Sequence, residues 1–521
     1  MVRFESGGQT KTYFCAVRFI VGRRERNNAL FNKTRLWQAP RRRISIPSFS
    51  RTILVVSFAL AGLISGCSQR ADKFPNKHAE LEKGARADTN GWINIHLEGT
   101  PRQIGFQHGW LLAAEIDDLM KSLAHFLQGS SKRDWAFYRS AAERMFWPKL
   151  EAEYREEIEG IAAGLGARIP KTNYDAIDIT ALNGWIELSR RYVPYLEEQV
   201  KTGAGGDKGA GHCGAFISTG NWTEDGGIVV GLNSWIDYIV GSRWNIIADI
   251  APANGHRVLM DCLPGTIHGG DGLAMNGAGV VFAETTPGAF KDLEKEGAPG
   301  FVLARKAAQY AASIDDFVRI VHAYDGGDHS GDWLVGDTKT GEIAKLDAGL
   351  GNRRLSRTTD GYFVWPGFPD DGKAVAGEAS FAAADKGSSS RARKARWEQL
   401  MEEYKGYIDV EDGKLFGADH IDLTTGKEGS NGNVLCGHVD EDPKGMPESG
   451  WAPFSPAGSV QGKVTSTALV KEMRMWARMG HPCGRDFVAA EFLAEHPEFA
   501  WQKPYLKDLR AQPWTLFEAG K

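Results

Sequence analysis

The sequence predicts an α+β fold, in which a helical first fragment is followed by strand pairs alternating with helices. Three observations carry this. Ile104, Leu111, Leu112, Ile116, Leu119 and Met120 recur at helical spacing early in the chain. Beyond residue 213, short β-branched runs are punctuated by glycine turns such as Asp225-Gly226-Gly227 and Asn276-Gly277. Finally, 42% hydrophobic and 25% charged residues is the composition of a globular protein. A net charge of −4 leaves no basic surplus for nucleic acid, so that class of partner is set aside.

The N-terminus reads as an export signal. Arg41, Arg42, Arg43 and Arg51 flank or precede the apolar run Ile53 to Ile64, and Ser65-Gly66-Cys67 follows. That run is far short of the ~20 residues needed to span a bilayer. Cys67 after Ser-Gly fits a bacterial lipoprotein box, with lipid on Cys67 anchoring the chain to a membrane; an ordinary cleaved signal is the alternative. Residues 1–66 are thus a leader and signal, and 67–90 a polar tether. The expected location is the bacterial cell envelope.

A strand is expected at Trp92–Leu97, then a helix from Gly99-Thr100-Pro101, with threonine as cap and proline in the first turn. His108 lies within it as a buried, hydrogen-bonded residue. Helices over Trp135–Leu150, Glu151–Gly164 and Asp175–Glu197 complete the first fragment, residues 91–212. The second, 213–521, opens with strands at Ala215–Gly220 and Ile228–Leu232. Arg257–Cys262 and the segment broken at Asn276-Gly277 add more strands. Helices follow at Gly300–Ala312 and Ile314–His322, with Ser313 and Asp316 as a capping pair. Strands return at Trp333–Asp337 and Glu342–Leu346, a surface loop is expected over residues 370–390, and helices over Ser390–Tyr404 and Val464–Met479.

Gly211-His212-Cys213-Gly214 stands where the two fragments meet, behind a loose glycine run. A cysteine opening a strand after such a run is where an N-terminal-nucleophile hydrolase would cut itself. The cut would give Cys213 a thiol and a free α-amine, whose ordinary pKa of ~7.7–8.0 suits a base. The plainer alternative is a small buried cysteine starting a core strand.

Several further elements come in order: Asn233-Ser234-Trp235, Leu263-Pro264-Gly265-Thr266-Ile267 with Gly270-Asp271, Glu284-Thr285-Thr286, Asp332–Asp337 and Gly462-Lys463-Val464-Thr465-Ser466. As an ordered set from about Gly91 to Trp514, they resemble the phospholipase B-like proteins and their relatives, the penicillin-type acyl-CoA acyltransferases. The resemblance implies a four-layer αββα sandwich of the N-terminal-nucleophile hydrolase type. It also implies a self-processing acyl hydrolase or amidase that opens an acyl amide or phospholipid-type ester through an acyl-enzyme. The substrate is then a small acyl compound or lipid, with acyl transfer as an alternative outcome.

Acyl chemistry needs donors aimed at an oxyanion. Asn233 and Asn276, both at strand ends, are the candidates beside Cys213. Asn276 matches an Asn-x-x-Gly element of the acyltransferase and bile-salt hydrolase relatives, whereas the phospholipase B-like pattern carries an apolar residue there. A turn asparagine is its other reading. Trp235, His268 and Asp271 are expected to line the substrate pocket. Arg243 and Arg305 are candidates to bind a carboxylate or phosphate by a planar fork.

No nucleotide or flavin motif appears, no cofactor is expected and no metal site is assigned. Cys436 and Cys483 leave three arrangements open: the disulfide that the resemblance implies, free thiols, or zinc held with His438 and His481. Two rival functions remain. A papain-like site would put the cysteine at a helix start, contrary to the strand-like run after Cys213. A ligand-binding surface lipoprotein without catalysis would need no processing there.

Overall fold

Ala85–Thr89 (β1) and Trp92–Gly99 (β2) form a hairpin that turns on Asn90 and Gly91, both with positive φ (47° and 78°). The computed structural model describes residues 79–200, 213–269, 272–285, 297–322, 332–348, 353–365 and 388–520, all within the compact unit Arg70–Lys521. The leader, Cys67, His212, Asp271 and residues 370–387 of the expected loop lie outside the described residues.

Thr100 caps the next helix as expected. It accepts from Gln103 N–H, and the Gln103 side chain accepts from Thr100 N–H, with Pro101 in the first turn. The single long helix expected here is two: Pro101–Leu111 (α1) and Ala113–Ser131 (α2), broken at Leu112. Trp135–Met145 (α3), Ala152–Arg168 (α4), Ala176–Asn183 (α5) and Val193–Val200 (α6) complete the first fragment. The helix expected over 175–197 is interrupted at Gly184 and passes through a π-turn at Leu188–Tyr192.

The second fragment begins with Gly214–Thr219 (β3) and Val229–Asp237 (β4), then the short helix Tyr238–Gly241 (α7). Ile246–Pro252 (β5), Val258–Cys262 (β6), Leu273–Asn276 (β7) and Val280–Thr285 (β8) follow. Helices Gly300–Tyr310 (α8) and Ile314–His322 (α9) come next, and the Ser313–Asp316 cap forms in both directions. Strands Asp332–Asp337 (β9), Glu342–Ala348 (β10), Arg353–Thr358 (β11) and Gly361–Trp365 (β12) precede helices Ser389–Glu403 (α10) and Val410–Gly417 (α11). The two-residue strands Ile421–Asp422 (β13) and Lys427–Glu428 (β14) pair only with each other.

The expected helix over Val464–Met479 is a correction. Those residues fold as the end of Ala457–Ser466 (β15), a short helix Thr467–Lys471 (α12) and the strand Arg474–Met479 (β16). Nine residues of β15 pair antiparallel with β4 across one irregularity at Ser459/Gln461. That ladder, and those of β16 with β15 and with Thr515–Glu518, override a helical apolar spacing that was only local. Ala489–Glu495 (α13) and Thr515–Glu518 (β17) end the chain's regular elements.

The described strands form a nine-stranded sheet, ordered β1-β2-β5-β6-β7-β8-β9-β10-β11, and a six-stranded sheet, β12-β3-β4-β15-β16-β17. Within both, every pairing is antiparallel except β2 with β5. Residues alternate across a strand. Ala215, Ile217, Val230 and Leu232 of the six-stranded sheet therefore join the main core, where β3 packs against β8, β9 and β10 of the other sheet. Phe216, Val229 and Val464 point the opposite way, into a separate core with Trp397 and Phe416 from α10 and α11. Helices α1, α8 and α9 pack on the nine-stranded sheet.

Candidate active site

Cys213 immediately precedes β3 and is buried, at 2% exposure. Its side chain belongs to the core between the sheets. Trp235 N–H donates to its Sγ at 3.4 Å, and the thiol faces Trp235 O at 3.9 Å, so the sulfur is held against the main chain of β4. Gly214 pairs with Asn233, which sets position 213 beside Ser234 on the same face of the sheet.

Ser234 introduces the charged centre of the site. Lys463 Nζ on β15 donates to Ser234 Oγ at 2.9 Å and to Asp261 Oδ2 at 2.6 Å. Both ionic side chains are 0% exposed, and Asp261 belongs to β6 of the other sheet. The bridge therefore crosses the interior between the sheets. Asp261 Oδ1 also accepts from Leu273 N–H at 2.8 Å. Removing two charges from water is costly, so the pair is weak evidence for stability. The Trp244 ring lies 5.2 Å from Lys463 Nζ.

Beside this array is a small cavity of about 10 Å³, bounded by Ile236, Trp244, Leu263, Thr266 and His268. It has room for about one water, so an acyl group enters only if the walls move. Its loop, residues 263–269, is fixed by the first fragment. Gly265 N–H donates to His108 Nε2 at 2.9 Å, Ile267 N–H donates to Asn183 Oδ1 at 2.8 Å, and Asn183 Nδ2 donates to Gly265 O at 3.1 Å. Burial, reinforced by Arg305, pushes His108 down to about 4, which leaves Nε2 free to accept. Burial also pushes His268 down to about 4, and its Nε2 meets Asn183 O at 3.2 Å.

The other expected site residues are placed differently. Asn233 turns to the opposite face, where its Nδ2 donates to Gly417 O (2.7 Å) and Leu435 O (3.0 Å). Asn276 closes the β7–β8 turn, accepting from Ala278 and Val280 N–H and donating to Ala308 and Ala311 O. It pairs with Val258, three residues from Asp261 and roughly 10 Å along the strand. Both amides are committed to main-chain groups, so neither is aimed at Cys213.

Trp235 contributes its backbone. Its indole lies on the far face, with Arg393 4.5 Å from the ring centre and Val439, Met446 and Trp451 around it. Arg243 grips Asp118 with two nitrogens and donates to Ile239 O and Tyr505 O. Arg305 pairs with Glu157 in the interior. The Arg243 guanidinium is thus fully engaged, whereas Arg305 Nε and Nη1 are buried without a hydrogen-bond partner among the described residues. Of the expected pocket residues, His268 lines the cavity, and Asp271 lies outside the described residues.

Ser234 and Lys463 lie in the ordered motif elements and Asp261 in an expected strand, but the sequence assigns none of the three a site role. The available signal was a carboxylate inside the apolar strand Val258-Leu259-Met260-Asp261-Cys262 and a lysine between Val460 and Val464. Cys436 and Cys483 are not joined to each other, so the disulfide that the resemblance implied is not formed.

No protein-family model matches the chain. An uncharacterized protein of Archaeoglobus fulgidus is 26% identical over 267 residues, 48% of this chain and 42% of that protein's length. A variant of the conjugated bile acid hydrolase from Clostridium perfringens is similar in structure at a TM-score of 0.29. The sequence identity is 11%, and the match covers 51% of this chain and 89% of that one.

Proposed function

We propose that this chain is a self-processing cysteine acyl hydrolase of the N-terminal-nucleophile type, acting on an acyl amide or phospholipid-type ester. The observation that carries this reading is the position of Cys213. It opens a strand of the six-stranded sheet, beside a fully buried Ser234–Lys463–Asp261 array that spans the two sheets. Facing sheets with helices packed against them are read here as a four-layer αββα sandwich, in keeping with the family resemblance.

In this mechanism the main chain is cut between His212 and Cys213. The freed α-amine takes the thiol proton, and sulfur attacks the substrate carbonyl to give a tetrahedral oxyanion. Collapse expels the amine or alcohol, which leaves with the proton held by the α-amine, and forms a thioester on Cys213. Water, giving a proton to the same amine, then releases the acid, and the thiol regains its proton. Trp235 N–H, which faces the sulfur, is the nearby oxyanion donor, and Lys463, charge-paired with Asp261, orients Ser234 beside it. Asn233 and Asn276 act as anchors of the surrounding main chain. The chain is further proposed to sit on a bacterial envelope through lipid on Cys67.

Intact-mass analysis of protein purified from a bacterial host tests both proposals. The expected species are a fragment beginning at Cys67 and carrying added acyl mass, and a fragment of residues 213–521. Cys213→Ala should yield one uncut chain, and Cys213→Ser should be cut slowly, since a hydroxyl is the poorer nucleophile. An uncut wild-type chain with full hydrolytic activity would overturn the self-processing mechanism. A first fragment without acyl mass would overturn the anchor.

A further inference from the structure

The segment after α11 and the segment after β16 converge at a cluster of four side chains remote in sequence: His420, Cys436, His438 and Cys483. Their nitrogen and sulfur atoms all lie within 4.8 Å of one another. His420 Nε2 is 3.1 Å from His438 Nε2, and His438 Nε2 is 3.6 Å from Cys483 Sγ. A tetrahedral zinc ion with bonds of ~2.0–2.3 Å has ligand–ligand edges of roughly 3.3–3.8 Å. We infer that His420, Cys436, His438 and Cys483 form a structural Cys₂His₂ zinc site.

The donor set favours zinc. Two thiolates and two imidazoles in one tetrahedron suit zinc, whereas calcium and magnesium require oxygen ligands. A two-iron cluster with the same residues would place its thiolates on one iron and its imidazoles on the other. The close approach of His438 to Cys483 fits one shared ion. Binding would displace the two thiol protons into solvent, with no change of oxidation state.

The surroundings hold this geometry in place. Cys436 N–H donates to Asp419 O, and His438 N–H donates to Asn431 O, fixing the main chain on both sides of the ligands. Between them Gly437 has φ +61°, and a Cβ there would lie 2.0 Å from the Trp235 ring, so only glycine fits. Leu435 O receives the Asn233 amide. Zinc would therefore clamp the loop that backs β4 directly behind Cys213. His481 is a neighbour outside the ligand set: its ring lies 4.3 Å from that of His438, tilted by 33°, and its Nε2 meets Tyr238 OH at 3.4 Å.

The test is metal analysis of the full-length protein, purified without metal-affinity resin and dialysed against a weak chelator. About one zinc per chain is expected. His420→Ala and Cys483→Ser should each lose most of it, while His481→Ala should retain it. Should the two ligand variants fail to fold, cobalt exchanged into the wild type keeps the test decisive. Thiolate-to-cobalt charge transfer with strong tetrahedral d–d bands supports the site, and weak octahedral bands overturn it. A metal-free wild type, iron at the same stoichiometry, or a Cys436–Cys483 disulfide in the alkylated protein would each overturn it. None of these readouts depends on hydrolytic activity, so the outcome is separate from that of the proposed function.

Discussion

Lys463 and Asp261 are the residues whose burial most needs a reason. Removing one member leaves a charge between the sheets without its partner, at a cost of about 3–5 kcal/mol. Lys463→Met alone should therefore lower the urea midpoint strongly. Lys463→Met with Asp261→Asn removes both charges, and the new amide oxygen can still accept from Leu273 N–H. The double variant should recover most of the lost stability and fold, yet remain uncut at Cys213 or turn over at least tenfold more slowly. Urea denaturation and intact mass read the two effects separately. A stable double variant with wild-type processing and turnover would reduce the array to a packing element.

The contact between α1 and α4 is made by glycines, a feature that periodicity of apolar residues cannot show. A Cβ on Gly109 would lie 2.0 Å from Ile161 O, and one on Gly164 2.2 Å from Phe106 O. The helices thus meet backbone to backbone. Gly→Ala in a helix interior ordinarily gains about 1 kcal/mol, but here no side chain can yield. Overpacking of ~1–3 kcal/mol or more should win. Gly164→Ala should therefore destabilise the protein by about 2 kcal/mol in urea denaturation. Gly166→Ala on the same helix has nothing within 4 Å and should be neutral or stabilising. Equal effects at both positions would reject the backbone contact.

Elements defined by local chemistry were legible in the sequence: the Thr100 cap, the Ser313–Asp316 pair and the glycine turns around β3, β4, β7 and β8. Those defined by distant partners were not. Residues 464–479 carry helical spacing, but Val464–Ser466 pair with β4 and Arg474–Met479 pair with β15 and β17. Lys463 stood out only as part of the Gly462–Ser466 element, because its partner Asp261 is 202 residues away in sequence. The same limit applied to the metal cluster. Cys436, His438, His481 and Cys483 were visible as donors, whereas only the fold brings His420 within 4.8 Å of Cys436, His438 and Cys483 and sets His481 in a second group with His438 and Asp440.

At the scale of the whole molecule, the fragment before the proposed cut cannot be separated from the core. It supplies β1 and β2 to the nine-stranded sheet, with β2 paired to β5 from Ile93↔Ile246 to Gly99↔Pro252. Trp92, Ile95 and Leu97 of that strand are fully buried. Buried polar links join the fragments as well: His108 and Asn183 hold the 263–269 loop, and Arg305 faces Glu157. Splitting the fragments would expose the edge of β5 and leave these groups without partners, a desolvation cost of about 1–3 kcal/mol for each that stays buried. Cleavage at Cys213 should thus leave a stable two-chain particle. The fragments should co-elute in native gel filtration, separate on a denaturing gel and unfold together in one thermal transition. Loss of the first fragment from cut protein in native buffer would show that the sheet and loop contacts do not hold it. The 263–269 loop would then lose His108 and Asn183 as the cut occurs, and the cavity beside Lys463 could not be a stable part of the mature enzyme.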